Sequence, residues 1–193
     1  MKTHLLLRTI LIVITAIVLL CSSEKSLPAR PPEMKFNYMF DLGAPGGQTM
    51  LQDNDGFLWV GTEGGGMFRY DGYDLKQYGA GPGLLSNSTV YRIIADRAKP
   101  DIFWIGTNEG LNRFDKATET FTYYKHDPNN PNGLGANIVE DIVQDRNDPA
   151  ILWIGTQEGL NRLVQGRLLP CPRSEGWPQM SVWAFHQDQH GTV

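Results

Sequence analysis

Residues 103–115 read FWIGTNEGLNRFD, and residues 152–163 read LWIGTQEGLNRL. A third version, FLWVGTEGGGMFRYD, fills residues 57–71. One phrase written three times in 193 residues is an internal repeat, and repeats decide architecture before any single element does.

Working outward, Trp59, Trp104 and Trp153 stand 45 and 49 residues apart. Upstream of each lies a second echo, TMLQD, VYRIIAD or IVEDIVQD, closing on Asp53, Asp96 or Asp145. Downstream come LKQY (75–78) and FTYY (121–124), then GLLSN from Gly83 and GLGAN from Gly133 lead into the next unit. Each unit reads as four short strands. VYRIIAD is β-branched and apolar, FWIGT is apolar on both faces as a strand between two layers must be, GLNRF alternates, and FTYY is an aromatic fourth strand. Turn residues separate them: DNDG (53–56), NEG, QEG and DPNNPNG (127–133). The extra glycine of EGGG (63–66) lengthens one turn without changing strand phase.

Period-two geometry puts Trp59 with Gly61, Trp104 with Gly106 and Trp153 with Gly155 on one face of their strands. Thr62, Thr107 and Thr156 take the other. The indole is expected to wedge between neighbouring sheets, and the glycine to admit a close side chain. Four strands every 40–50 residues describe a propeller blade.

The expected fold is therefore all-β. It is an incomplete, open β-propeller over 36–193, with repeats near 45–80, 88–130 and 137–175. A partial fourth unit at 181–193, SVWAFHQDQHGTV, carries Asp188 in the Asp53 position and is expected to supply a first strand. VQGRLLPCPRSEGWPQM departs from the connector pattern, so a distorted outer strand is expected in the third unit. Closed propellers have about 4–8 blades. A bare blade face of about 500 Å² would leave ~12 kcal/mol of burial unmade, so the chain reads as the first portion of a longer protein or as a truncated gene product.

The N-terminus carries Lys2 and Arg8, then TILIVITAIVLLC, then SSEKS. This is the charged-then-apolar pattern of a secretory signal; the apolar run falls short of the ~20 residues of a membrane-spanning helix. Residues 1–23 are expected to be a cleaved signal, an uncleaved helical anchor in the inner membrane, or a lipidated leader at Cys21; residues 24–35, rich in proline and charge, are a linker. The body is then periplasmic or otherwise extracytoplasmic. With only Cys21 and Cys171 there is no disulfide framework, so stability must come from a core. A net charge of −4 does not suit nucleic acid, which wants a basic face.

The three phrases, the HDPNNPNGLGAN connector and VWAFHQDQHGTV together resemble the two-component regulator propeller repeat, over about residues 36 to 193. The resemblance implies the extracytoplasmic sensor region of a bacterial hybrid two-component or histidine kinase sensor. It also implies a carbohydrate-derived ligand, and partners in the rest of the propeller and in signalling domains. Kinase activity would lie in segments not found in this sequence, so the chain is expected to bind rather than catalyse. A secreted propeller enzyme acting on polysaccharide and a non-functional scaffold are the alternatives.

The residues hold little catalytic or metal chemistry. His186 and His190 fall on a strand and its turn rather than on one helix face, and His186, replacing Leu51, Ile94 and Val143, is expected to pack. DNDG lacks the later acid of a calcium loop, and EGGG is followed by neither Lys-Ser/Thr nor a helix. No cofactor is expected. Cys171, among prolines and far from histidine in sequence, reads as an inert thiol. Glu109 and Glu158 recur beside turn glycines, and Arg69, Arg113 and Arg162 recur too, which argues for a role in every blade, the arginines being expected to pair with an acid of the same or next blade. The aromatics Tyr70, Tyr73, Tyr78, Tyr123, Tyr124 and Trp177 are expected to pack between blades rather than stack on sugars, and Asn87-Ser88-Thr89 reads as a chance glycosylation signal.

Overall fold

Each copy of the phrase folds as a β-hairpin, flanked on one side by an inner strand and on the other by an outer one. The structure, a computed structural model, describes residues 43–188 except 45, 131, 178 and 187. The signal or anchor segment, the linker and His190 lie outside the described residues. Among the described residues no helix is long and apolar enough to cross a membrane.

The first sheet contains β1 (Gly47–Gln52), β2 (Leu58–Thr62), β3 (Met67–Tyr70) and β4 (Leu75–Tyr78). The second contains β5 (Val90–Ala95), β6 (Ile102–Thr107), β7 (Gly110–Asp115) and β8 (Thr120–Tyr124). The third contains β9 (Val139–Gln144), β10 (Ile151–Thr156), β11 (Gly159–Val164) and β12 (Arg167–Pro170). All three are antiparallel four-stranded meanders in chain order, and they do not close into a ring.

The period-two reading of the hairpin strand holds. Trp59 and Gly61 face the second sheet: a Cβ on Gly61 would lie 2.5 Å from Val90 Cγ1. The same Cβ on Gly106 would meet the Val139 carbonyl oxygen at 2.7 Å, and on Gly155 the Val182 carbonyl oxygen at 2.7 Å. Real Cβ contacts are not that short, so each glycine sets how closely the segment that follows its sheet can approach. One cluster fills the first space, built on Trp59, Met67, Phe103, Ile105 and Phe114; a second, built on Trp104, Leu111, Ile142, Leu152 and Leu163, occupies the next and borders a cleft at one end.

The third sheet differs from expectation in its outer strand. β12 pairs with β11 without register shift from Arg167 to Pro170, so the strand is short and regular rather than distorted. A two-residue turn, Gln165 and Gly166 at φ 50° and 79°, joins them; positive φ at both positions matches the right-handed twist of a hairpin. Beyond it, residues 181–186 run against this sheet without forming a strand: Val182 N–H donates to the Thr156 carbonyl at 3.0 Å and Phe185 N–H to Asp141 Oδ2 at 2.7 Å. Backbone donors spent on the neighbouring blade make contact but no ladder.

Candidate functional site

The recurring aspartates come first, because they explain one another. Asp53 Oδ1 accepts the amides of Asp55 and Phe57, and its Oδ2 accepts the Trp59 indole N–H at 2.9 Å. Asp96 takes the amides of Ala98 and Lys99 and the Trp104 indole at 3.1 Å. Asp145 takes those of Asn147 and Asp148 and the Trp153 indole at 2.9 Å. Each carboxylate thus ties the turn between inner strand and hairpin to the wedge that follows it, whether the spacing is six residues or eight. Burial works to raise the Asp53 carboxyl, but Trp59, Lys116 and the Phe57 amide outweigh it and hold it below the ordinary carboxylate range. Asp96 is depressed against burial in the same way by Trp104, Ala98 and Gln144. Asp188 accepts an Arg146 Nη1 hydrogen bond on its carbonyl at 3.1 Å.

The threonines serve the opposite turn. Thr62, Thr107 and Thr156 donate from Oγ1 to the carbonyls of Gly66, Gly110 and Gly159, each at 2.9 Å. Glu109 and Glu158 follow by bonding their amides to Thr107 and Thr156 Oγ1, and the Glu109 carboxylate pairs with Lys125 at 2.9 Å. The two glutamates belong to separate blades and form no acid pair. Among the described residues no cluster of three or more His, Cys, Asp or Glu could hold a metal ion.

Several side chains sit elsewhere than expected. The recurring arginines lie beside the tryptophans, as their cross-strand registry requires. Arg69 stacks over Phe57 at 4.9 Å and Trp59 at 5.9 Å rather than pairing with an acid; Arg113 reaches Asp115 only at 4.0 Å. Tyr78, Tyr124 and Trp177 pack against Trp59, Trp104 and Trp153, but Tyr73 is 95% exposed at a turn tip and Tyr123 is exposed on the outer strand, where alternation points it outward. His186 is exposed, not packed. Cys171 is buried beside Trp153, and that burial pushes its thiol up, away from the reactive thiolate.

Sequence reasoning missed the bulges. Register slips between Gly47 and Thr49, between Val90 and Arg92, and between Val139 and Asp141, leaving Gln48, Tyr91 and Glu140 as extra residues on the inner strands. By the same repeat Trp183 holds that position in the fourth unit and is 75% exposed. A bulge re-aims a side chain out of the sheet's alternation. Beside each bulge the hairpin turn is tied back by Glu63 N–H to the Gly46 carbonyl, Asn108 N–H to Thr89 and Gln157 N–H to Ile138. Tyr91 Oη donates to Asn108 Oδ1 at 3.4 Å, and its phenol is raised by burial and by the nearby carboxylates of Glu140 and Glu63. Just inside this rim Arg92 Nε meets Asp141 Oδ1 at 3.1 Å, linking the second inner strand to the third. The signal in the sequence was internal: structural positions repeat as Asp, Trp, Gly and Thr, whereas the rim reads Gln48, Tyr91, Glu140 and Trp183, different in every unit.

The two component regulator propeller family profile matches residues 48–64, which run from the first bulge through β2 and the start of its turn. That segment, residues 48–64, is thus where the chain matches the two-component regulator propeller repeat. Among solved structures the chain is similar to the extracellular domain of BT3049 from B. thetaiotaomicron, a protein assigned to the hybrid two component systems. That match has 24% identity and a TM-score of 0.63, over 72% of this chain and 20% of that one. The extracellular domain of BT4673 from the same organism also matches, at 20% identity and a TM-score of 0.44, over 80% of this chain and 25% of that one. The chain therefore spans a fifth to a quarter of the length of these structures. No curated protein matches.

Proposed function

We propose that this chain is a segment of an extracytoplasmic sensor propeller from a bacterial two-component signalling protein, and that it gathers a carbohydrate-derived ligand at the rim of its inner strands without chemical turnover. One observation carries the reading. The inner-strand bulges present Tyr91 and Glu140, and the equivalent repeat position of the fourth unit presents Trp183, at positions where no structural role repeats. An indole left 75% exposed, with a phenol, carboxylates and amides at equivalent places, supplies the flat apolar faces and hydrogen-bonding edges that a sugar ring needs. The matched repeat at residues 48–64 and the fold shared with a sensor's extracellular domain support the sensor role and the location outside the cytoplasm. The signalling partners, and the membrane contact through the N-terminal segment, belong to the same proposal.

Calorimetric titration of the chain with a panel of neutral and acidic oligosaccharides tests it. At least one is expected to saturate, with Trp183→Ala and Tyr91→Ala each weakening it about tenfold or more. Because Trp183 is exposed, its variant should keep the wild-type urea midpoint. Saturation unchanged in both variants, or none by any member of the panel, would overturn the reading, and product formation would replace binding with catalysis.

A further inference from the structure

The space between the second and third sheets is packed through its middle but opens at one end, that of the aspartate turns, into a cleft of about 440 Å³. In the first space the second sheet contributes three rings, Phe103, Phe114 and Phe121. At the matching strand positions the third sheet contributes Leu152, Leu163 and Leu168. The first space is covered at this end by the four-residue turn after β7, which carries Lys116 across to Asp53 at 3.1 Å and on to Asp55 and Asp101. By the repeat, those four residues correspond in that order to Gln165, Asp96, Ala98 and Ala150, and all four line the cleft. The cleft therefore lies where an ammonium on a methylene arm fills the first space. The lysine that would supply it is replaced by Gln165, in a turn of only two residues.

One acceptor is left over. Asp53 Oδ2 accepts both the Trp59 indole and Lys116, whereas Asp96 Oδ2 accepts the Trp104 indole at 3.1 Å and, among the described residues, no cation. The mouth is not simply acidic. Asp96 and Asp148 stand there with Lys99, exposed and without an ion pair among the described residues, and with Arg113, whose ion pair to Asp115 is a loose 4.0 Å. A lone amine would meet the two cations and a lone carboxylate the two acids; a guest with both charges meets an opposite charge at each end. Gln144 is already spent, its Nε2 on Asp96 Oδ1 and the Pro149 carbonyl and its Oε1 on the Arg97 amide. The exposed Gln165 amide can still donate to a carboxylate. Trp104, Leu152 and Leu163 are 8%, 3% and 3% exposed and pack together, so a guest lies over their outer edge, along Ala98 and Ala150, and not between them. We infer that the cleft is a second binding site, separate from the inner rim, for a small aliphatic zwitterion: its ammonium takes the open Asp96 Oδ2 as Lys116 takes Asp53 Oδ2, and its carboxylate meets Arg113 and Lys99.

Calorimetric titration of the full chain with 6-aminohexanoate, hexylamine and hexanoate tests this, with the Trp104 indole N–H, which shares Asp96 Oδ2, followed by NMR to locate binding. 6-Aminohexanoate copies the lysine arm and adds a carboxylate at its far end; it is expected to saturate and to shift that resonance. Hexylamine and hexanoate, each lacking one charge, should bind at least about tenfold more weakly. Gln165→Lys installs the first space's cation on an exposed turn and should weaken 6-aminohexanoate about tenfold or more without lowering the urea midpoint. Arg113→Gln should weaken 6-aminohexanoate and tighten hexylamine, a pair of opposite changes that loss of folding cannot produce. Trp183→Ala, which tests the inner rim, should leave this binding unchanged, so the two sites can fail separately. No saturation, a stationary Trp104 resonance, a single-charge compound binding as tightly as the zwitterion, unchanged affinity in Gln165→Lys or Arg113→Gln, or weakened binding in Trp183→Ala would each overturn the assignment.

Discussion

Between the first and second sheets, Trp59 is fully buried and meets three rings, Tyr78, Phe103 and Phe114, at 5.5, 5.0 and 5.6 Å. Between the second and third, Trp104 retains 8% exposure and among the described residues has a single ring neighbour, Tyr124. The wedge, its aspartate tie and the facing glycine are the same in both places. What differs is the volume that meets the wedge and the turn that covers it. One plan for spacing blades therefore yields a sealed core in one space and a cleft in the next, and the choice lies in side chains the repeat does not fix.

The largest expected effect comes from removing the wedge. Trp59→Ala should cost about 3–5 kcal/mol, the range for an aromatic deleted from a packed core, because it strips contacts with three rings and leaves Asp53 without its indole donor. Trp104→Ala should cost measurably less, since that indole already borders open space. Urea unfolding of the two variants checks the ranking, and equal losses would mean the two spaces are energetically alike. Next come the glycines. Gly106→Ala drives a methyl into the Val139 carbonyl, a backbone atom, whereas Gly61→Ala meets the Val90 side chain. Both should destabilise by about 1–3 kcal/mol through overpacking, Gly106→Ala more, because a carbonyl cannot turn aside without moving its strand.

A third test converts one space towards the other. Phe114→Leu installs the third sheet's residue in the second and should lose about 1–2 kcal/mol while opening a cleft against Trp59, visible as a red-shifted tryptophan emission. The smallest effect should come from the turn. Lys116→Met removes the cation over Asp53 and should cost about 0.5–1.5 kcal/mol at neutral pH. It should also change the acid limb of stability. Asp53 and Asp96 have carboxyls depressed in the folded chain, so their contribution is complete above the unfolded value near pH 4 and is lost as pH falls through the folded values. With Lys116 gone Asp53 loses one of the groups that depress it, and thermal melts from pH 6 down to pH 2 should show a shallower loss than wild type.

How much of this was legible beforehand differs by residue. The Trp–Gly face, the recurrence of Asp53, Asp96 and Asp145 and the four-strand unit followed from period and alternation, because those constraints act along a few consecutive residues. That the aspartates bind the indoles was hidden, since six or eight intervening residues say nothing of where a turn brings its ends. The bulges at Gln48, Tyr91 and Glu140 were hidden for a related reason: an extra residue is defined only against the strand that opposes it. Tyr73, Tyr123 and His186 were misplaced because apolar or aromatic character does not say which side of a strand or turn faces water.

By itself, then, the sequence determined the repeating unit, its four strands and the residues that set the distance between blades, because each of these is a local pattern copied three times. Only the tertiary structure decided which space is sealed and which is open, where the inner strands break register, and which aromatic rings reach solvent. Those outcomes depend on how side-chain volumes from two different sheets add up across a gap, and residues 40 or more positions apart in the chain carry no mark of being neighbours.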